Sequence, residues 1–182
     1  MDKTPTTATR KTTRADGPDA IAILTADHAK VSKLFKQYEK LKESGSEAEK
    51  LALATEICTE LTAHATAEEE IFYPAVRDAI EESELVDEAD VEHASAKDLI
   101  AQISESSPDD DLYDAKVKVL GEYIAHHVKE EEGEMFPQVR KAKLDLAALG
   151  AEIEARKEEL LADMAGDDAD EIAPQAKGRT KR

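Results

Sequence analysis

The 182-residue sequence predicts an all-α protein, an up-down-up-down four-helix bundle with an additional C-terminal helix. Apolar residues recur every three or four positions, which is the spacing of a helix face. Glycine and proline are scarce between the ends, and the turns are short, so consecutive helices are expected to lie antiparallel. The bundle is predicted to span residues 19–165, with its ligand-bearing part at 19–141. The polar ends, residues 1–18 and 166–182, are predicted to be disordered.

Two helices are predicted in the first half of the chain. The first has inward-facing residues at helical spacing: Ile21, Leu24, His28, Val31, Phe35, Tyr38 and Leu41. Ser46 and Glu49 form a capping box that begins the second helix. The inward face of the second helix contains Leu53, Ile57, Leu61, His64, Glu68, Ile71 and Ala75. Pro74 lies inside this helix and predicts a kink.

Three further helices are predicted in the second half. A turn near residues 82–84 precedes the third helix, whose inward face contains Val86, Ala89, His93, Ala96, Ile100 and Ile103. Ser107 is predicted to cap the fourth helix, with Pro108 at its first position. The inward face of the fourth helix is predicted to contain Lys116, Leu120, Tyr123, His127, Glu131 and Met135. A fifth helix, from about Leu144 to Ala165 and ended by Gly166, is expected to pack outside the bundle.

The composition restricts the partners of the chain. Its formal net charge is −18, and there is no basic face to neutralise phosphates, so we expect no nucleic-acid partner. An acidic body attracts cations and repels anionic lipid, and nothing in the sequence resembles a secretory signal or a membrane span. Cys58 is the single cysteine and is predicted to be a small buried hydrophobe. We expect a cytoplasmic monomer or homodimer.

The two halves of the chain repeat one motif. His64-Ala-Thr-Ala-Glu68 and His127-Val-Lys-Glu-Glu131 are each followed by an aromatic residue and then by a proline ten residues after the histidine. Each is preceded by a helix with one inward histidine, which is His28 in the first half and His93 in the second. Residues four apart lie on one face of a helix, so each motif can direct an imidazole and a carboxylate at a common centre.

Six side chains are therefore candidate metal ligands: His28, His64, Glu68, His93, His127 and Glu131. Four imidazoles and two carboxylates exceed the needs of one tetrahedral metal but suit two metals, with two histidines on each and the glutamates bridging. Nitrogen and oxygen ligands without thiolate fit iron or manganese, and zinc remains possible. Metal binding also explains why carboxylates lie in a core, where an unpaired one costs several kcal/mol.

This pattern resembles the hemerythrin-like (HHE cation-binding) domains of the bacterial type, over roughly residues 19–141. The resemblance implies an oxo- or hydroxo-bridged di-iron centre that interacts with oxygen, hydrogen peroxide or nitric oxide, with zinc or manganese less expected. It implies that the four histidines are terminal ligands and that Glu68 and Glu131 are the bridges. Oxygen-carrying hemerythrin has a further histidine where this chain has Lys97, which argues against reversible oxygen carriage.

Two functions follow as alternatives. One is a catalase-like redox enzyme that consumes peroxide or other reactive oxygen or nitrogen species in oxidative stress. The other is a module that binds or senses oxygen or nitric oxide, or stores iron, without turnover. A ferritin-like protein is disfavoured because ferritins use Glu-x-x-His pairs.

Several residues near the ligands have two interpretations. Tyr123 is a candidate catalytic residue that hydrogen-bonds a bound oxygen species, with a core tyrosine as the alternative. Glu69 and Glu130 are interpreted as solvated surface residues, with support of the ligands as the alternative. Lys97 is a candidate partner of an outer carboxylate at the mouth of the site.

Overall fold

The computed structural model describes residues 17–172, and side-chain surroundings are described as far as residue 166. Most of the two predicted disordered ends lies outside the described residues. The helices are α1 Ala20–Leu41, α2 Glu47–Ala67, α3 Tyr73–Arg77, α4 Glu84–Ser104, α5 Tyr113–Glu130, α6 Phe136–Val139 and α7 Leu146–Ile172. The described part of the chain contains no strand, so the all-α prediction is confirmed there. None of its helices is both long and apolar enough to cross a membrane.

The first two helices begin at side-chain caps. The Asp19 carboxylate accepts a hydrogen bond from the Ala22 amide at 2.8 Å at the start of α1. At the start of α2, the predicted capping box is confirmed: Ser46 Oγ accepts from the Glu49 amide and Glu49 Oε2 accepts from the Ser46 amide. These bonds satisfy amide groups that have no partner inside the helix.

A widened π-helical turn follows each ligand motif, at Glu68–Phe72 and at Glu131–Met135. Each turn precedes a short helix with proline at its second position, Pro74 in α3 and Pro137 in α6. Proline lacks an amide hydrogen and clashes with the carbonyl four residues earlier, so a regular α-helical turn is disfavoured there. The irregularity predicted at Pro74 therefore takes the form of a π turn, and the second half repeats it.

The π turn changes which residues face inward. One extra residue enters the turn, so the buried positions of α3 advance by one along the chain. Phe72 and Val76 are fully buried, whereas Ile71 and Ala75 are partly exposed. Ile71 and Ala75, which were predicted to face inward, therefore lie at the edge of the core, and Ile71 packs against it while partly buried.

Four long helices surround the interior. α1 packs beside α2 and α5, and α4 packs beside the same two helices, while α7 covers α1 and α2 from outside. Apolar residues form one cluster on each side of the ligand motifs. One contains Phe72, Val76, Met135, Phe136 and Ile153 of α7, and the other contains Tyr38, Ile57, Leu61, Val117 and Leu120. The polar residues of the motifs therefore lie between two apolar layers.

The fourth long helix begins later than predicted. Residues 107–112 form turns, in which the Ser107 amide donates to Asp110 Oδ2 at 3.0 Å, and α5 begins at Tyr113. The aspartate thus bonds the backbone of a turn in competition with a helix. Lys116 does not lie on the inward face, because its ammonium group donates to Ser106 Oγ at 2.6 Å. The predictions for Ser107, Pro108 and Lys116 are wrong.

The last helix is longer than predicted. α7 continues through Gly166 to Ile172, and no described glycine has the positive φ that a left-handed helix end requires. The prediction that this helix ends at Gly166 is therefore wrong.

Cys58 is buried, as predicted, and burial raises the pKa of its thiol to about 11.

Gly150 allows α7 to approach the start of α1. A Cβ atom at this position would lie 2.7 Å from the Pro18 carbonyl oxygen and 2.9 Å from the Ala20 amide nitrogen. Since these are backbone atoms, Gly150→Ala is expected to lower the free energy of unfolding by about 1–3 kcal/mol. Gly166→Ala is the control, because nothing lies within 4 Å of a Cβ there. Urea denaturation measures both, and equal stability of the two variants would contradict this close packing.

Candidate metal centre

The six candidate ligands meet in the interior, at the level between the two apolar layers. All are buried, with relative exposures of 5% for His28, 6% for His64, 0% for Glu68, 3% for His93, 3% for His127 and 1% for Glu131. The helices α1, α2, α4 and α5 each contribute one of the four ligand histidines, and the two carboxylates come from the π turns that follow α2 and α5. The π turns therefore carry part of the site.

The ligand atoms form two groups. In the first, His28, His64, Glu68 and Glu131 each place one ligand atom within 4.8 Å of the others. His64 Nε2 lies 3.0 Å from Glu68 Oε2, and His28 Nε2 lies 3.3 Å from Glu131 Oε2. The two carboxylates thus reach the two histidines of the first half of the chain.

The second group contains Glu68, His93 and His127, again within 4.8 Å of one another. His93 Nε2 lies 3.5 Å from Glu68 Oε2 and 3.2 Å from His127 Nε2. His127 Nε2 lies 3.4 Å from Glu131 Oε2. Since Glu68 belongs to both groups, the arrangement fits two cations that share a carboxylate.

Several buried atoms of this cluster have no hydrogen-bond partner within the protein. They are both carboxylate oxygens of Glu68, Oε2 of Glu131 and Nε2 of His28. Glu68 Oε2 and His64 Nε2 are close, but their geometry is poor for a hydrogen bond. A buried polar atom left unsatisfied costs about 1–3 kcal/mol, and more when it is charged. Metal ions at the centre would satisfy these atoms, so the residues present fit a metal pair.

A ring of carboxylates supports the four histidines from outside. Asp27 Oδ2 lies 3.2 Å from Nδ1 of His64, and Glu92 Oε2 lies 2.7 Å from Nδ1 of His127. In both cases the carboxylate comes from the neighbouring helix of the same half. A carboxylate that accepts from Nδ1–H orients the ring and leaves Nε2 directed at the centre.

Two more carboxylates reach across between the halves. Glu69 Oε1 lies 3.1 Å from Nδ1 of His93, and Glu132 Oε1 lies 2.9 Å from Nδ1 of His28. The structure therefore favours the alternative in which Glu69 supports a ligand histidine over the one in which it is a solvated surface residue. The signal for this ring was present in the sequence, because Asp27 and Glu92 directly precede the lone histidines, and Glu69 and Glu132 directly follow the ligand glutamates.

The charges around the centre shift the pKa values of its histidines. Burial lowers the pKa of His64, but Glu68 and Asp27 outweigh it and raise the pKa to about 10. Burial also lowers the pKa of His127, but Glu131 and Glu92 outweigh it and raise the pKa to about 9. Burial dominates at His93 and lowers its pKa to about 4. The metal-free chain therefore holds extra protons on His64 and His127 at neutral pH.

Metal binding is expected to release these protons. A doubly protonated, charged histidine must lose the proton on Nε2 before that nitrogen can bind a metal. The pKa values of His64 and His127 are about 10 and about 9. Metal affinity should therefore rise with pH through pH 8 and should stop rising once the pH exceeds both pKa values. Calorimetric titration of Zn²⁺ into metal-free protein, in buffers of different ionisation enthalpy, should show about two protons released per chain at pH 7. Release of no protons would contradict this assignment.

Tyr73, not Tyr123, is the tyrosine at the centre. Tyr123 is 51% exposed, so the prediction that it lies on the ligand face is wrong. Tyr73 is 1% exposed, and its hydroxyl donates to Glu131 Oε1 at 2.9 Å and lies 3.3 Å from His93 Nε2. Residue 73 follows the first π turn, and the regular helical spacing used for prediction does not bring it inward.

A small cavity leads to the four histidines. Its other walls are mostly apolar and include Val31, Leu61, Ile100 and Ile124. Lys97 lies at this cavity and its ammonium group pairs with Glu69, as the sequence predicted for an outer carboxylate. The volume of this cavity is about 20 Å³, which is room for about one water-sized molecule, and its apolar walls limit the water beside the histidines.

Comparison with known proteins agrees with this architecture. Residues 19–139 match the model of the hemerythrin HHE cation binding domain. The crystal structure of a hemerythrin HHE cation binding domain-containing protein from Mycobacterium kansasii superimposes with a TM-score of 0.70 at 24% identity, over 90% of this chain and 96% of that one. At that identity the superposition shows a shared fold.

A curated relative is longer than this chain. A protein of Nostoc sp. named DNA nickase is 33% identical over 118 residues, which are 65% of this chain and 32% of that protein. The chain thus spans about a third of the length of this relative. The family match covers the region that carries all six buried His and Glu residues, and the chain belongs to the hemerythrin HHE cation binding domain family.

Proposed function

We propose that the chain holds two iron ions, bridged by an oxo or hydroxo group, and decomposes hydrogen peroxide in oxidative stress. The observation that carries the proposal is the pair of ligand groups sharing Glu68 in the interior, with buried carboxylate oxygens that the protein leaves unsatisfied. Nitrogen and oxygen ligands without thiolate suit iron. Bound iron would supply the redox chemistry that peroxide decomposition requires.

The residues of the chain have separable parts in this proposal. The four histidines would hold the ions through Nε2, and the Glu68 and Glu131 carboxylates would be the ligands that the two ions share. The carboxylate ring holds the imidazoles in one orientation, which keeps the ligands ready for metal. Apolar walls of the cavity limit water around the ions. Tyr73 holds the Glu131 carboxylate and keeps a proton near the centre, because burial and the two glutamates raise the pKa of its hydroxyl far above 10.

The bundle topology is part of the same proposal. We infer that the four long helices alternate in direction, because consecutive helices are joined by short connections and α1 packs beside α2, as α4 does beside α5. This alternation brings one histidine of each helix to a common level.

Oxygen release from hydrogen peroxide tests the proposal. Iron-loaded protein should evolve oxygen faster than the same amount of free iron. Tyr73→Phe should keep its iron and lose activity by roughly ten- to a hundred-fold, since residues that support metal ligands have effects of this size. Tyr123→Phe is the matched control, because Tyr123 is half exposed, and it should retain full activity.

Two results would redirect the assignment. No oxygen release above free iron would reject the catalase-like reaction. A stable spectral change with oxygen or nitric oxide, without turnover, would instead favour a binding or sensing module.

We propose no action on DNA for this chain, despite the name of the Nostoc relative. This chain corresponds to about a third of that protein. Its formal net charge of −18 opposes approach to a polyphosphate backbone. Small molecules remain the proposed partners.

A further inference from the structure

A third His-x-x-x-Glu pair lies on the outer face of α5. It consists of His126 and Glu130, with His126 Nε2 3.2 Å from Glu130 Oε1. Glu92 of α4 places its Oε1 atom 3.6 Å from the same nitrogen. The three residues each offer a ligand atom within 4.8 Å of the others. The His126 side chain is 61% exposed, so this group is open to solvent and separate from the six buried residues.

The surroundings of this outer group are acidic. A surface pocket there is lined by Glu84, Asp87, Glu88, Val91, Glu92, His126 and Glu130. Within the described part of the chain, no lysine or arginine nitrogen lies within 4 Å of the Glu92 or Glu130 carboxylate; both carboxylates contact histidine. Concave acidic surfaces concentrate cations, and imidazole with two carboxylates is a ligand set for divalent transition metals.

In the first half of the chain, the corresponding face of α2 is covered by α7. By the repeat of the ligand motifs, His126 and Glu130 correspond to Ala63 and Ala67, and both alanines are fully buried. Ala67 belongs to the same apolar cluster as Ile153 of α7, the helix that covers α1 and α2. The first half thus uses these positions to pack α7.

The outer carboxylates of the two halves also differ in their partners. Asp27, the counterpart of Glu92, pairs with Lys157 of α7. Glu92 contacts His126 and His127 instead. The half that α7 leaves uncovered therefore has His126 and Glu130 where the covered half has two alanines. Its carboxylate, Glu92, has no lysine partner among the described residues, whereas Asp27 does.

Glu92 connects the outer group to the buried centre. Its Oε2 atom lies 2.7 Å from His127 Nδ1, while its Oε1 atom faces His126. We infer that Glu92, His126 and Glu130 form an exposed site for one divalent transition-metal cation, from which the buried centre is loaded. Three protein ligands leave coordination positions for water, so the cation can exchange. The loading role rests on the proposed function, whereas the binding site does not.

Mn²⁺ binding tests the outer site. Titration of iron-loaded protein, with the EPR signal of free Mn²⁺ as the readout, should reveal one further bound ion. His126→Ala should weaken this binding by roughly ten-fold or more. Glu122→Gln is the control for an exposed polar side chain of the same helix outside this group, since Glu122 is 64% exposed and pairs only with Lys118 among the described contacts; the Mn²⁺ affinity of this variant should be unchanged. Equal affinity of His126→Ala and the native chain would overturn the site.

A third variant separates this site from the buried centre. His64→Ala should keep the outer Mn²⁺, because His64 is not part of the outer group. If His64→Ala removes that Mn²⁺, the ion had bound inside the bundle and the inference is wrong. A chain that binds outer Mn²⁺ yet never takes up iron would reject the proposed function and leave the outer site standing.

Kinetics test the loading role. Metal-free His126→Ala protein, mixed with Fe²⁺ without oxygen, should reach the same final iron content as the native chain at a rate roughly ten-fold lower. An unchanged uptake rate in a variant that has lost outer Mn²⁺ binding would overturn the loading role.

Discussion

Glu68→Ala is expected to reduce the metal content from about two ions per chain to less than one. Glu68 belongs to both ligand groups, so its loss removes a ligand from each cation at once. The side chain is fully buried and both its oxygens lack hydrogen-bond partners in the protein. Metal analysis of the purified variant, expressed with added iron, measures the effect.

The control for this variant is Glu56→Ala. Glu56 lies on α2, the helix that leads into the π turn of Glu68, but it is exposed, so its loss should leave metal content unchanged. Glu68→Gln keeps the volume of the side chain and removes its charge, and it should also lose metal. Full metal content in Glu68→Ala would show that the buried carboxylate does not bridge the ions.

Removal of the metal is expected to lower the melting temperature by roughly 10 °C. Ligand present at about a thousand times its dissociation constant stabilises the folded chain by about 4 kcal/mol. A chain of this length changes its melting temperature by about 2–4 °C for each kcal/mol. The metal-free chain must also hold the Glu68 and Glu131 carboxylates in its core. Thermal denaturation followed by circular dichroism, before and after chelation, measures the difference.

The Glu68→Ala variant provides a second comparison for this result. Because it binds little metal, chelation should leave its melting temperature unchanged. Equal melting temperatures for native protein with and without metal would show that metal does not stabilise the folded chain.

The ligand residues could be predicted from the sequence because helical spacing is regular up to the glutamates. His28, His64, His93 and His127 lie on α-helices whose apolar residues keep the 3-4 spacing. The repeat then related one half to the other. Both kinds of information are local in the chain, and so they required no knowledge of packing.

The residues beyond the glutamates could not be predicted in the same way. A π turn changes the helical register by one residue, so the burial of Tyr73 does not follow from regular spacing. A four-residue step back from His127 reaches Tyr123, whereas the inward face takes a three-residue step to Ile124 and then continues through Leu120 and Val117. Glycine does not end α7, because Gly166 keeps a helical backbone.

Tertiary contacts determine the remaining features. Lys157 reaches Asp27 only because α7 packs on α1, and nothing local in the sequence indicates that pair. The carboxylate ring was partly visible as acidic neighbours of the ligands, yet which histidine each carboxylate supports depends on the neighbouring helix.

The most direct test of the di-iron centre is metal analysis of the protein as purified from cells, together with its optical spectrum. A di-iron centre predicts about two irons per chain and the absorption bands of an oxo-bridged ferric pair. Protein that contains no iron, or a single zinc ion, would contradict it.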